Sequence, residues 1–125
     1  MGKVSEHFSR SEFACQCGCG FDAVDVELLG ILERIRKHYR KPVIITSGCR
    51  CQHRNTFVHG VPGSLHTKAK AADFHVKDAA ISDIVRVLNE WYPDQLAIGE
   101  YSHHVHLGIT EAKRRWKGTY WKQQF

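Results

Sequence analysis

The sequence predicts an α+β fold, a small antiparallel sheet packed by helices, and three observations lead there. Two stretches carry apolar residues at helical spacing, while the remaining apolar runs are short enough to be single strands. The last of these runs are adjacent in sequence, as antiparallel neighbours are. No repeat or low-complexity linker divides the 125 residues, so one domain spanning 1–125 is expected.

The elements follow in order. "SRSE" at 9–12 has capping-box spacing and opens a short helical turn, which the glycines of "CQCGCG" then end. Leu28, Ile31, Leu32, Ile35 and Tyr39 recur on one face of a helix over about 24–40, closed by Pro42. "PVIIT" is a β-branched apolar run and reads as a buried strand. A weak helix runs through Asn55 to Val58, "HGVPGS" is turn chemistry, and "AADFHV" is a second strand. Asp78 is placed to cap a second long helix whose stripe is Ile81, Ile84, Val85, Leu88 and Trp91. "QLAIGEYSHHVHLGI" reads as one or two strands joined by a turn near Gly99, and a last short helix is expected from Thr110 to about Trp116.

Composition narrows the classes. Hydrophobic residues are 42% and charged residues 25%, ordinary for a globular protein. No apolar run approaches the ~20 residues of a membrane span, and "MGKVSEHFSRSEF" lacks the apolar core of a signal peptide. The chain is therefore expected to be made in the cytoplasm, and to need release or delivery if it acts outside. Net charge is +5, clustered in Arg34–Lys41 and Lys113–Lys122. These blocks are either solvated faces or an attraction to an anionic polymer. No zinc finger, helix-turn-helix or RNA-binding aromatic motif favours nucleic acid.

Five cysteines fall in two groups: Cys15, Cys17 and Cys19 in "CQCGC", and Cys49 and Cys51 in "CRC". C-x-C-x-C is not the C-x2-C knuckle of ordinary structural zinc sites. Disulfides between the groups, free thiols, and a second structural metal assisted by His53 all remain open. The two groups are expected to lie near each other in space.

The chemistry concentrates in "SLHTKAKAADFHV" and "GEYSHHVHLGI". His66 and Asp73 lie seven positions apart, at a loop and at the start of a strand. In a strand, residues i and i+2 share a face, so His104 and His106 should project together, with Glu100 at the same parity and His103 pointing away. A catalytic zinc typically takes three protein ligands and keeps a fourth position open. His66, Asp73 and His106 would supply two imidazoles and a carboxylate, and a neighbouring His or Glu could act on the bound water. His75 shares the face of Asp73 and is read as a strand histidine, and His59 as a loop histidine.

Taken together, "SGCRC", "HRN", "GSLHTKAKAAD", "GEYSHHVHLGI" and "RRW" resemble the zinc D-alanyl-D-alanine peptidases of the M15 type, in particular the short branch of phage and bacterial murein peptidases. The resemblance covers nearly the whole chain. It implies an α+β zinc fold shared with hedgehog domains and cleavage of D-amino-acid-containing cell-wall peptides; the chain is expected to act as a monomer. Delivery in phage lysis or from a virion, as for an endolysin, is implied with it. It further implies that Zn2+ is held by His66, Asp73 and His106, that Arg50 binds substrate or the oxyanion, and that His104 matches the first histidine of the HxH of related peptidases. Glu100 falls where hedgehog-type domains hold an active-site glutamate, whereas His103 lies at the three-residue offset of the base in other M15 enzymes. Strand parity selects Glu100. Gly108 stands where this branch commonly has an acidic residue, and Ala69 where it has glycine. The rival readings are a catalytically silent, hedgehog-like zinc module that recognises a partner, and a nucleic-acid binder supported by charge alone. The choice between endopeptidase and carboxypeptidase stays open.

Overall fold

The computed structural model describes residues 2–118. Its elements are α1 (Val26–Tyr39), β1 (Val43–Ser47), α2 (Gln52–Phe57), β2 (Ala71–Val76), α3 (Ile81–Trp91), β3 (Ala97–Glu100), β4 (Val105–Gly108) and β5 (Arg114–Lys117), with single 3-10 turns at Arg10–Phe13 and Leu65–Lys68. The five strands form one sheet in the order β1-β2-β4-β3-β5. The first four pair antiparallel, and β5 joins β3 in parallel. The expected α+β class and the single sheet through Ile44, Ala72, Ile98 and Val105 are both found.

Period-two alternation gives the sheet two chemically different faces. Ala72, Phe74 and Val76 of β2, Val105 and Leu107 of β4 and Ile98 of β3 form one core with Leu28, Ile31, Leu32 and Ile35 of α1 and Ile84 and Leu88 of α3. The intervening residues, Asp73 of β2 and His106 of β4, lie directly opposite each other across the ladder and face the other way. Every one of these strands has four to six residues, too short to be stable alone, so the polar face is held by the apolar one.

Helix ends follow local chemistry. The Asp25 carboxylate accepts from the Leu28 N–H at 3.1 Å and starts α1. Arg40 ends it in the left-handed conformation (φ 56°), just before Pro42. Glu12 reaches back to the Ser9 N–H at 2.7 Å, as the capping-box spacing predicts.

Three expectations are corrected. Asp78 does not cap α3: the N-cap is Ala80, while Asp78 occupies a turn (φ 64°) and pairs with Lys41 at 3.5 Å. The chain does not turn at Gly99, which lies inside β3; the reversal is at residues 101–104. The segment after Thr110 is the strand β5 rather than a helix. The Arg115 guanidinium fixes that strand, donating to Asn89 Oδ1 and to the carbonyls of Tyr92, Gln95 and Leu96 at 2.6–2.9 Å. These are the carbonyls at the end of α3 and in the loop to β3, so the arginine satisfies orphan acceptors and aligns the edge strand.

The basic blocks are thus partly structural. Arg115 is committed to this network, and Arg34 lies 4.0 Å over the Trp91 ring. Residues 119–122 of the second block lie outside the described residues.

Candidate metal centre

The centre is assembled from three short segments. The Leu65–Lys68 turn is opened by Ser64, whose hydroxyl accepts from the His66 N–H, and it ends at Ala69 in the left-handed region (φ 59°). It delivers His66, fully buried, over the polar face of the sheet. Strand β2 brings Asp73 and strand β4 brings His106.

His66 Nδ1 donates to the Gly48 carbonyl at 2.7 Å. This commits its proton and leaves the Nε2 lone pair facing Asp73 Oδ1, 3.2 Å away. His106 Nδ1 lies 3.1 Å from the same oxygen. A bare imidazole nitrogen beside a carboxylate oxygen is repulsive unless a cation or a proton lies between them. Three ligands at zinc-like bond lengths of about 2.0–2.2 Å would stand roughly 3.3 Å apart at tetrahedral angles, so the spacing fits. The Gly48 carbonyl is the kind of outer partner that fixes the orientation of a ligating histidine. His66, Asp73 and His106 are accordingly a buried group able to hold a metal ion.

Burial pushes the Asp73 carboxyl up, but His66 and the hydrogen bonds from His106 outweigh it and hold it well below the ordinary carboxylate range. Burial pushes the His106 imidazole down to about 4, against the pull of Asp73. An ionised carboxylate and a neutral imidazole are the protonation states that ligation requires.

The second oxygen of Asp73 faces two further groups. Arg50 Nη2 lies 3.5 Å away and His104 Nε2 3.9 Å away. The Arg50 side chain is 5% exposed and its pKa is lowered by burial, an effect that Asp73 opposes. Its Nε donates to Ser47 Oγ and its Nη1 to Asn55 Oδ1, both at 3.3 Å. Asn55 is buried and donates on to the Val61 carbonyl at 3.0 Å. Burial likewise lowers the pKa of His104, whose Nε2 has no hydrogen-bond partner.

Strand parity holds for His104 and His106 and fails for Glu100. Glu100 is the last residue of β3 and pairs with Val105, so it shares the core face rather than that of His106. It lines a hollow with Val85, Asn89, Ile98, Arg115 and Lys117. Even spacing counts only within one strand, and the reversal at 101–104 lies between the two residues. His103 is exposed in that reversal.

The structure adds residues that the sequence reading missed. Tyr101 stacks on His104 with centroids 4.4 Å apart and rings 13° from parallel. Trp116 lies 5.2 Å from the His106 ring and donates from Nε1 to Tyr101 Oη at 2.9 Å. Gly99 makes this possible, because a Cβ there would stand 2.5 Å from the Trp116 indole. Gly108 is explained in the same way: a Cβ there would meet Leu65 Cδ1 at 2.6 Å. Leu65 fills the space beside Gly108, and His106 Nε2 is left without a hydrogen-bond partner.

An α+β sheet thus presents two histidines and an aspartate around one point, with an arginine beside them, as a group able to hold a metal ion. The chain belongs to the peptidase M15 family, whose model matches residues 6–108. No curated protein and no solved structure matches it. It is therefore a peptidase of a metallopeptidase family. No helix among the described residues is long and apolar enough to cross a membrane.

Proposed function

We propose that this chain is a zinc-dependent peptidase that hydrolyses D-amino-acid-containing peptides of bacterial murein. The observation that carries the reading is the convergence of His66 Nε2, His106 Nδ1 and Asp73 Oδ1, with Arg50 and His104 at the other oxygen of Asp73. Two imidazoles and one carboxylate are the donor set of a catalytic zinc with an open position. When bound, the ion supplies Lewis acidity toward a peptide carbonyl and lowers the pKa of its water.

The residues around it divide the remaining work. The Arg50 guanidinium, locked by Ser47 and Asn55, is oriented to donate to the oxyanion that develops on the scissile carbonyl. His104 takes the water proton on its unpartnered Nε2 and returns it to the leaving amine. Tyr101, stacked on His104, and Trp116, against His106, hold the two rings in place. His103, exposed at the family's offset for the base, is placed to exchange protons between His104 and solvent. Glu100 receives no role in this reaction, because it lies on the other face.

A cleft lined by Val61, Pro62, Leu65, Thr110 and Arg114 opens beside the turn that carries His66 and suits an extended peptide. The +5 charge favours an anionic wall. Action on the wall in phage lysis or from a virion, as a monomer, completes the reading.

The position of Glu100 and the glycine at 108 favour a second reading, a silent zinc module that binds a wall ligand or a protein partner. Mass spectrometry of purified muropeptides after incubation with the zinc-loaded protein separates the two. Chelator-sensitive products that have gained water support the peptidase. Bound but uncleaved muropeptides support the module.

A further inference from the structure

A second cluster of metal-ligating side chains lies outside the centre described above. Cys15 Sγ is 3.5 Å from Cys17 Sγ and 3.8 Å from Cys51 Sγ, and Cys17 Sγ is 3.6 Å from Cys51 Sγ. Cys19 completes the group, with all four sulfurs within 4.8 Å of one another. Cys49 stands apart: it is buried, and its thiol donates to the Phe13 and Phe21 carbonyls at 3.2 Å. His53 is not among the converging ligands.

The spacing distinguishes the possible fates of the thiols. A disulfide needs sulfurs about 2.05 Å apart in exclusive pairs. Here one sulfur has two near neighbours at similar distances, and the fourth closes the set. Zinc–sulfur bonds of about 2.3 Å place tetrahedral ligands roughly 3.8 Å apart. Backbone amides support the sulfurs as they do in thiolate sites. The Cys51 N–H donates to Cys15 Sγ and the Arg54 N–H to Cys51 Sγ, each at 3.4 Å.

We infer that Cys15, Cys17, Cys19 and Cys51 form a closed, tetrahedral tetrathiolate site for a structural zinc ion, separate from the histidine–aspartate centre. Four protein ligands leave no open position, so the site holds structure and does no chemistry. What it holds is specific. Three ligands come from the turn after Phe13, and the fourth follows Arg50 directly. Between them, the Cys49 N–H donates to the Phe13 carbonyl at 3.0 Å, the Arg50 N–H donates to the His66 carbonyl at 2.9 Å, and Gly48 receives His66 Nδ1. The ion therefore staples the N-terminal segment to the loop that carries Arg50 and orients His66.

The test is metal analysis of the full-length protein purified under reducing conditions with zinc present. Two equivalents of zinc per chain are expected. His106→Ala should lose one and keep the other, while the exposed pair Cys17→Ser/Cys19→Ser should do the reverse. Wild-type protein loaded with cobalt should show intense thiolate-to-cobalt charge transfer that persists in His106→Ala, a readout independent of any hydrolytic activity. Wild-type protein that holds only one equivalent in all, with none left in His106→Ala, would overturn the inference. So would an intact mass showing disulfides among these cysteines, or cobalt-loaded protein without thiolate bands. Because the tetrathiolate signal is read in His106→Ala, the site can fail without the peptidase reading failing, and the reverse.

Discussion

Asp73 and His106 are direct partners across the β2–β4 ladder, and this pairing places His106 Nδ1 3.1 Å from Asp73 Oδ1. The register is fixed from the other face. Phe74 opposite Val105 and Ala72 opposite Leu107 are buried in the core, so a one-residue slip would bring Asp73 into apolar surroundings and expose Phe74.

Removing a ligand should remove the metal of this centre. His66→Ala and His106→Ala are each expected to lose its equivalent of zinc in elemental analysis while the fold is retained. Asp73→Ala should lose the metal and destabilise as well, because it removes one half of a buried ion pair with Arg50, a loss of about 3–5 kcal/mol. Denaturant midpoints that rank Asp73→Ala no lower than His66→Ala would contradict this.

The histidines before the ligand should separate by face. His104→Ala is expected to lower kcat by roughly 100-fold or more, the usual scale for a lost general base, with zinc still bound. His103→Ala should be milder, and Glu100→Gln milder still, because Glu100 lines the hollow beside α3. Steady-state rates on a muropeptide check the ranking, and an inactive Glu100→Gln or a dead His103→Ala beside an active His104→Ala would reverse it.

The N-terminal segment should carry an acid-sensitive part of the stability. Glu33 accepts from Ser5 Oγ at 2.6 Å, from the His7 N–H at 2.7 Å and from His7 Nδ1 at 2.6 Å. Burial raises its pKa, but the Ser5 and His7 hydrogen bonds outweigh burial and hold it below its ordinary 4.5. A depressed carboxyl contributes stability that is complete above the unfolded value and is lost as pH falls through the folded one. Glu33→Gln should therefore be less stable than wild type by about 1–3 kcal/mol at neutral pH. The gap should narrow below about pH 4.5, as urea melts across pH will show.

Leu65 and Gly108 should behave as a coupled pair. Gly108→Asp alone is expected to destabilise, since its side chain meets Leu65. Combined with Leu65→Ala it should be tolerated, and the new carboxylate should reach the unpartnered His106 Nε2 and tighten zinc binding by up to roughly 10-fold. A double variant no more stable than Gly108→Asp would refute the coupling.

The sequence made the helices legible because α1 and α3 bury continuous stripes, and made β1 and β2 legible as short apolar runs, while β3 and β4 were read as one or two strands with the turn misplaced at Gly99. β5 was hidden because its pairing with β3 is non-local and its anchor, Arg115, reads as surface charge. In the centre, His66, Asp73 and His106 were visible through spacing and resemblance. Glu100 was misplaced because parity was carried through a chain reversal that the sequence marks only with "YSHH". The Tyr101 stack and the Trp116 cover carry no linear signal, since each depends on a neighbour the fold brings from elsewhere. The proximity of the two cysteine groups was legible, whereas the exclusion of Cys49 was not, because it depends on Phe13 and Phe21 capturing that thiol.

The most direct measurement is the release of new amino termini from purified murein, comparing native protein, protein stripped by a chelator and stripped protein reloaded with zinc, with His106→Ala carried in parallel. The account predicts release by the native protein, none after stripping, recovery on reloading, and no recovery in His106→Ala. Release that survives stripping, or that His106→Ala recovers with zinc, would contradict it.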